Sequence, residues 1–304
     1  MAHFGDYFRL LRVHHWIKNI LIFVPLFFNV GFFGTGIIIS FITGTILGFI
    51  CFSLLSSIVY ILNDIKDIEK DRLHGTKCQR PLASGRISVR HAISVLFILA
   101  VVLIVLLIVL RTHTSHLYNY KSVGLLLLYL LLNIGYSFGL KNIPIIDVTI
   151  LASGYVIRLL FGALIFGIDI SIWFYLVITM GAYYLGLGKR RNEITINGGV
   201  RQDVMQFYSH NFLDKNMYVC QALCVVFYAL WSIDPVTIDK FHTSAFVYTI
   251  PLILIIFFKY SLNIERDIDG DPTSVLFGDG ILLLLCGLYI LCTIGIVYFN
   301  RAVT

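Results

Sequence analysis

Nine apolar stretches divide this chain, and each is long enough to cross a lipid bilayer. A spanning helix needs roughly 20 apolar residues, and a helix satisfies its own backbone hydrogen bonds where no water is present. Of the 304 residues, 58% are hydrophobic and 13% are charged, whereas a soluble domain carries about 25% charged residues. We therefore predict an all-α integral membrane protein, a single domain over 1–304, with transmembrane helices at about 17–34, 36–62, 91–110, 122–140, 145–167, 171–188, 217–233, 243–261 and 280–299.

The basic residues predict how the chain is oriented in the membrane. With the N-terminus in the cytosol, 18 of the 23 Lys and Arg residues fall in cytosolic segments. Cytosolic loops carry an excess of Lys and Arg, so we expect a multi-pass protein of the cell membrane with a cytosolic N-terminus and an external C-terminus. The net charge of +6 then reflects topology and anionic lipid, and no nucleic-acid partner is implied.

A polar segment, 63–85, directly follows the second apolar stretch. If the helix continues at about 100° per residue, Asn63, Asp64, Asp67 and Asp71 lie within about 100° of arc. Three carboxylates on one face repel one another unless a cation bridges them, and hard oxygen ligands suit Mg²⁺. The competing interpretation is a solvated helix end whose charges of alternating sign pair in the ordinary way.

Two basic residues after this acidic face extend the argument to phosphate. Lys77 and Arg80 supply donors for phosphate oxygens, and Arg can bind them through two nitrogens at once. Pro81 and Gly85 predict that the loop bends back, so that 63–90 forms a cytosolic cap. The pattern predicts a site for a Mg²⁺-bound diphosphate.

Other polar side chains stand where apolar stretches meet the predicted cytosol, or within a span. Ionisable groups inside a span are costly and usually face a polar interior, whereas basic rim residues can also be simple interfacial anchors. Both interpretations stay open for the rim. The substrate-binding candidates outside the acidic segment are Lys18, Tyr136, Lys141, Asp147, Arg158, Lys189, Arg190 and Glu193.

An acidic cluster follows the eighth apolar stretch and comprises Glu265, Asp267, Asp269 and Asp271. It can be a second contributor to a divalent-ion site or a solvated loop. The match to a calcium-binding loop is weak, because the downstream glutamate is absent.

Three motifs together resemble the UbiA superfamily of intramembrane prenyltransferases. These are N-D-x-x-D-x-x-x-D after the second stretch, K-x-x-R-P after it, and Y-S-x-x-L-K after the fourth. The resemblance covers nearly the whole chain and implies nine helices around a central polar cavity, with Mg²⁺-diphosphate bound by the motif aspartates and helped by Asn63. At the end of the sixth stretch, where the aromatic prenyltransferases of the superfamily carry a second aspartate-rich motif, this chain reads G-K-R-R-N-E.

A narrower group within the superfamily, the decaprenyl-phosphate phosphoribosyltransferases, is more similar. Its likeness rests on R-x-x-x-W-I-K-N, R-P-L-A-S-G, Y-S-F-G-L-K with Asp147, S-G-Y-V-I-R and G-K-R-x-x-E. The resemblance implies transfer of 5-phosphoribose from phosphoribosyl diphosphate (PRPP) to a polyprenyl phosphate in cell-wall biogenesis, with release of diphosphate. Lys189 and Arg190 then provide a basic site for the 5-phosphate, and Lys18, Tyr136 or Lys141 holds the acceptor phosphate.

Two other functions compete with this interpretation. One is a prenyltransferase that joins a prenyl diphosphate to an aromatic acceptor. The other is a polyprenyl-phosphate carrier without chemistry, which would leave the triple-aspartate face without a purpose. The oligomeric state and the prenyl chain length are not indicated by the sequence.

Overall fold

The computed structural model describes residues 4–29, 35–73, 75, 77–113, 120–196, 204–266 and 271–303. Every regular element within these ranges is helical. The α-helices are α1 (Phe4–Leu11), α2 (Val24–Phe27), α3 (Thr35–Lys66), α4 (Ile68–Arg72), α5 (Val89–His113), α6 (Lys121–Ser137), α7 (Ile146–Leu164), α8 (Ile172–Ile196), α9 (His210–Ile233), α10 (Pro235–Phe241), α11 (Ile250–Arg266), α12 (Pro272–Gly278) and α13 (Gly280–Val303). The all-α prediction is confirmed for this part of the chain.

The length and composition of these helices are those of a multi-pass membrane protein. Six helical stretches in the described residues are long and apolar enough to span a bilayer, and a seventh is added if the pair Phe4–Leu11 and Val13–Phe27, bent by 44°, counts as one span. The apolar helix α6 is shorter. The predicted count of nine spans, their orientation and the single-domain organisation stay predictions.

The first predicted span differs from a regular α-helix. The segment Val13–Phe23 is a 3₁₀ helix that leads into the short α2. Gly162 in α7 lies directly against it, since a Cβ atom at Gly162 would overlap the backbone carbonyl of Ile22. This close approach, which only glycine permits, fixes α7 to the 3₁₀ helix.

The described chain divides into two compact units, and the first comprises Met1–Leu140 with Ile157–Asp169. Its core is an apolar cluster built around Phe52, Phe161 and Ile165, all fully buried. A second cluster includes Leu10, Ile61, Leu82 and Ile87, and it packs the turns after α4 against the end of α3. These contacts position the acidic segment.

The second unit comprises Lys141–Val156 and Ile170–Thr304. Its helices α8 and α9 pack along each other, and the core includes the fully buried Tyr184, Leu213 and Ile264. Helix α8 continues to Ile196, eight residues beyond the predicted end at 188. The G-K-R-R-N-E sequence at 188–193 lies on helical backbone near the C-terminal end of α8.

Candidate active site

The acidic segment keeps its helical path with one break. Helix α3 ends at Lys66 and α4 begins at Ile68, while Asp67 between them has φ −95° and ψ 10°. The backbone N–H of Asp67 donates to the Asn63 carbonyl over 2.9 Å, and that of Asp71 donates to the Asp67 carbonyl over 2.8 Å. The predicted helical spacing therefore extends through Asp71.

One guanidinium group joins two of the three aspartates. Arg80 Nη1 lies 3.1 Å from Asp64 Oδ1 and 2.6 Å from Asp71 Oδ2. The side chains of Asp64 and Asp71 are only 3% and 7% exposed. Buried carboxylates require a compensating charge, and Arg80 supplies it at the point where the two meet.

A second guanidinium, which the sequence analysis did not single out, reaches the same carboxylate. Arg12 Nη2 lies 2.5 Å from Asp64 Oδ1, and its guanidinium lies over the Tyr60 ring at 4.8 Å from the centroid. Arg12 heads the R-x-x-x-W-I-K-N motif, so the motif carried a signal that we assigned only to Lys18. Local spacing could not reveal a partner 52 residues away.

The backbone at Arg12 has an uncommon conformation that aims this side chain. Arg12 lies between α1 and the 3₁₀ helix with φ 51° and ψ 47°, a left-handed geometry that is costly for residues other than glycine. The Trp16 Nε1–H donates to Ser57 Oγ over 3.1 Å, and the Ser57 hydroxyl donates to the Leu11 carbonyl over 2.8 Å. These bonds tie the turn to α3 and so stabilise the geometry.

The donor chemistry of the segment fits a hard divalent cation. Asp64 and Asp71 offer buried oxygens that converge on one nitrogen, and the side-chain oxygen of Asn63 accepts a hydrogen bond from Ser137 over 2.9 Å. Asp67 is half-buried at the helix break. Among the described residues no group of three or more Asp, Glu, His or Cys side chains is arranged to hold a metal ion, and Arg80 contacts both buried carboxylates.

The loop after α4 folds back by turns, as Pro81 and Gly85 predicted. Gly85 has φ 74°, and its N–H donates to the Leu82 carbonyl over 3.2 Å. Arg86 forms an ion pair with the buried Asp6 over 3.0 Å. The turn therefore places Arg80 beside the aspartates, while the cap role of 63–90 stays a prediction.

Arg158 lies buried in the first unit. Its Nε donates to the Asn19 side-chain oxygen over 2.6 Å, and Nη2 donates to the Tyr129 hydroxyl over 3.2 Å. Its guanidinium also lies over the rings of Phe52 and Tyr129, at 4.9 and 5.1 Å from their centroids. Neutral side-chain oxygens and aromatic ring faces thus provide part of the stabilisation that a buried cation within a span requires.

Asp147, Arg190 and Glu193 come together in the second unit. Asp147 is fully buried, and its Oδ2 lies 2.8 Å from Arg190 Nε. Arg190 Nη1 also lies 2.5 Å from Glu193 Oε2. Three of the sequence candidates therefore form one network at the start of α7 and the end of α8.

Tyr208, which sequence reasoning missed, completes this network. Its hydroxyl donates to Asp147 Oδ1 over 2.5 Å and accepts from the Ile145 backbone N–H over 2.6 Å. Burial, together with the hydrogen bond to Asp147, raises the pKa of the Tyr208 phenol above its usual range. A single tyrosine in a polar loop carries no motif, so nothing in the sequence marked it.

The remaining candidates are half-buried, and the structure leaves their role as substrate ligands a prediction. This group comprises Lys18, Lys77, Tyr136, Lys141 and Lys189.

The acidic cluster after α11 is only partly described. Asp271 caps α12, since its side chain accepts from the Thr273 N–H over 3.0 Å, and Glu265 pairs with Arg191 over 3.3 Å. Asp267 and Asp269 lie outside the described residues.

Long apolar helices, with buried aspartates where α3 meets α4, define an integral membrane protein that carries a polar site at the end of one span. A family model for the UbiA prenyltransferase family matches residues 21–278. This chain belongs to that family, and the family resemblance predicted from its motifs is confirmed.

Curated relatives cover nearly the whole chain. A decaprenyl-phosphate phosphoribosyltransferase of Corynebacterium glutamicum is 30% identical over 95% of this chain and 85% of its own length. The enzyme of the same name from Mycolicibacterium smegmatis is 28% identical over 95% of this chain and 92% of its own.

Solved structures share the fold. A UbiA homologue from Archaeoglobus fulgidus, bound to GPP and Mg²⁺, has a TM-score of 0.67 at 21% identity and covers 96% of this chain and 99% of its own. A UbiA homologue from Aeropyrum pernix aligns with a TM-score of 0.54 at 13% identity, over 97% of this chain and 100% of its own.

Proposed function

We propose that this protein transfers the 5-phosphoribosyl group of PRPP to a polyprenyl phosphate at the cytosolic membrane face, with release of diphosphate. The proposal is carried by the end of α8, where basic G-K-R-R-N-E stands in place of the second aspartate-rich motif of the aromatic prenyltransferases. A prenyl diphosphate has only one anionic group to be bound, whereas PRPP has a second one. The relatives named as phosphoribosyltransferases support this choice of donor substrate.

The diphosphate end of PRPP is assigned to the acidic segment. Asp64, Asp67 and Asp71, with the Asn63 amide oxygen, would hold Mg²⁺, which neutralises charge on the leaving diphosphate when bound. Arg80 lies beside two of these aspartates, and it donates to the outer diphosphate oxygens together with Lys77. The Ser137 hydroxyl donates a hydrogen bond to the Asn63 side-chain oxygen and so fixes the orientation of this amide.

The 5-phosphate is assigned to Lys189 and Arg190. Asp147 and Glu193 both pair with Arg190, so this guanidinium fixes the end of α8, while the half-buried Lys189 beside it supplies an ammonium group for the 5-phosphate. Burial of a charge among paired groups holds its geometry tightly. The network therefore positions the basic site as well as contributing to it.

The acceptor phosphate is assigned to Lys18, Tyr136 and Lys141. A phosphate monoester already carries negative charge at neutral pH, so its oxygen can attack C1 of the ribose without a strong general base. Attack opposite the leaving diphosphate inverts C1, as the C1–O bond to diphosphate breaks and the bond to the lipid phosphate forms. Nine spans with a cytosolic N-terminus would place these residues on the cytosolic side, where PRPP is available.

A substrate comparison tests the proposal. Purified protein in detergent receives polyprenyl phosphate with ribose-labelled PRPP, and separately an aromatic acceptor with labelled geranyl diphosphate. Label should enter the organic phase from PRPP and depend on the polyprenyl phosphate. The second reaction is included because a fold neighbour was solved with GPP. Product from geranyl diphosphate alone would replace the proposal by aromatic prenyl transfer, and lipid binding without any product would favour a carrier.

A further inference from the structure

Two arginines pair with the buried carboxylates of the acidic face. Arg80 Nη1 contacts both Asp64 and Asp71, and Arg12 Nη2 contacts the same Oδ1 atom of Asp64 that Arg80 contacts. All four side chains are at least mostly buried, with Arg12 and Arg80 15% and 26% exposed. The carboxylates of Asp64 and Asp71 are thus matched by two guanidinium charges, while Asp67, the third aspartate of the face, is half-buried at the helix break.

A divalent cation that enters this cluster alone meets unfavourable electrostatics. It would share Asp64 with both guanidinium groups and Asp71 with that of Arg80, and like charges in a buried setting repel strongly. The guanidiniums can leave the carboxylates only if another anion receives them. A diphosphate provides that anion, since planar guanidinium groups bind phosphate oxygens through paired hydrogen bonds.

We propose that Arg12 and Arg80 are exchangeable counter-ions of the acidic face, and that they move from the aspartates to the diphosphate as the metal binds. Arg12 is thereby a diphosphate-binding residue in addition to Arg80. The consequence is that metal and diphosphate bind cooperatively, and each binds weakly without the other. This inference rests on the proposed function for the identity of the site, but its test does not use turnover.

Two properties of Arg12 support the exchange. Its backbone is held in the left-handed region by the bonds of Trp16 and Ser57, so the turn maintains a strained geometry that aims the guanidinium at Asp64. Its guanidinium also lies over the Tyr60 ring, which gives the cation a second favourable contact as it shifts between acceptors. Arg80 sits on a loop of turns, a backbone that can adjust more easily than a helix.

The test measures metal binding with inorganic pyrophosphate as the probe. Mn²⁺ binding to the full-length protein in detergent is followed by electron paramagnetic resonance, with free metal held equal with and without pyrophosphate. Wild-type protein should bind Mn²⁺ at least about tenfold more tightly when pyrophosphate is present. Arg80→Gln and Arg12→Gln should bind Mn²⁺ more tightly than wild type without pyrophosphate and lose most of the enhancement.

Three controls keep the test decisive. Arg111→Gln changes an exposed arginine at the end of α5 and should behave as wild type. Arg12→Lys keeps the charge and should retain part of the enhancement. Because a glutamine variant leaves buried carboxylates less compensated, Mg²⁺ alone should raise the thermal midpoint of Arg80→Gln more than that of wild type, which shows that the variant is folded and binds metal.

The outcomes separate this inference from the proposed function. Equal Mn²⁺ affinity with and without pyrophosphate in wild type, and no change in either glutamine variant, would overturn the exchange even if PRPP is turned over. Cooperative binding of Mn²⁺ and pyrophosphate that disappears in both glutamine variants would support it even if ribose-labelled PRPP gives no lipid product.

Discussion

The phenol of Tyr208 donates a 2.5 Å hydrogen bond to the fully buried carboxylate of Asp147. The other oxygen of that carboxylate lies 2.8 Å from Arg190 Nε. The loop before α9 is thus linked through one carboxylate to the basic end of α8. Hydrogen bonds to charged groups contribute about 1.5–3 kcal/mol, so this link matters for the geometry of the second unit.

Tyr208→Phe should weaken PRPP binding more than it slows turnover. The ring still packs, but Asp147 loses a donor and Arg190 a fixed partner, so the adjacent basic site becomes less well positioned. We expect KM for PRPP to rise about tenfold with kcat changed less, in line with the lower end of the free energy of a lost charged hydrogen bond. Steady-state kinetics check this. Tyr183→Phe, which removes a 3.2 Å bond to Thr149, is the matched control, and an equal effect in both variants would contradict a specific role for Tyr208.

Gly162→Ala should destabilise the protein. Its Cβ atom would overlap the Ile22 carbonyl, so α7 and the 3₁₀ helix must separate, and such overpacking costs about 1–3 kcal/mol. The thermal midpoint in detergent measures the effect. Gly124→Ala in α6 is the control, because a Cβ atom there meets nothing within 4 Å and alanine is the better helix former. Equal midpoints for the two variants would show that the close approach is not needed.

Arg158→Gln should lower stability, and Arg158→Lys should not restore it. Glutamine gives up the bonds to Asn19 and Tyr129 together with the stacking on Phe52, and a loss of about 2–3 kcal/mol is expected for bonds from a charged group. A lysine ammonium cannot reproduce the planar donor geometry. Thermal unfolding followed by Trp fluorescence measures this, with Arg111→Gln as the control. Full stability in Arg158→Lys would mean that charge alone matters.

The pH dependence of stability should report on Asp279 at the start of α13. Its bond to Lys259 and its cap on the Leu282 N–H lower the pKa of the Asp279 carboxyl to about 2. Because the pKa is lower in the folded state, the charged carboxylate stabilises that state at pH values above its ordinary pKa near 3.9. This stabilisation is lost as the pH falls towards about 2.

Asp279→Asn should therefore have a lower thermal midpoint than wild type at neutral pH, and the difference should shrink as the pH falls from about 4 to about 2. The exposed Asp169→Asn provides the comparison. A difference between Asp279→Asn and wild type that stays constant down to the lowest pH would contradict the role of the charged carboxylate.

Much of the helical framework follows from the sequence, because the bilayer sets the length of an apolar helix. The predicted stretch at 36–62 lies within α3, and the one at 91–110 lies within α5. The ends are less predictable. Helix α8 continues past 188 because its charged residues can remain helical outside the apolar layer. The stretch at 17–34 begins as a 3₁₀ helix that is held by contacts with α7, and local sequence does not reveal these contacts.

The candidate site could be predicted where its residues follow one nearly continuous helical path. The spacing of Asp64, Asp67 and Asp71 is a local pattern, and so it is visible in the sequence. The contact of Arg12 with Asp64 joins residues 52 positions apart, and that of Tyr208 with Asp147 joins residues 61 positions apart, so both depend on tertiary packing. The sequence predicted charged groups at the ends of apolar stretches but could not show which of them pair.

Label transfer tests most directly whether phosphoribosyl transfer takes place at the acidic face. Purified protein, Mg²⁺, ribose-labelled PRPP and polyprenyl phosphate are incubated, and lipid-extractable label is counted for wild type, Asp67→Ala and Arg111→Gln. We expect label in the lipid for wild type and Arg111→Gln, and its loss with EDTA or with Asp67→Ala, which should still be folded in the membrane. Near-normal transfer by Asp67→Ala, or no transfer by folded wild-type protein, would contradict the account.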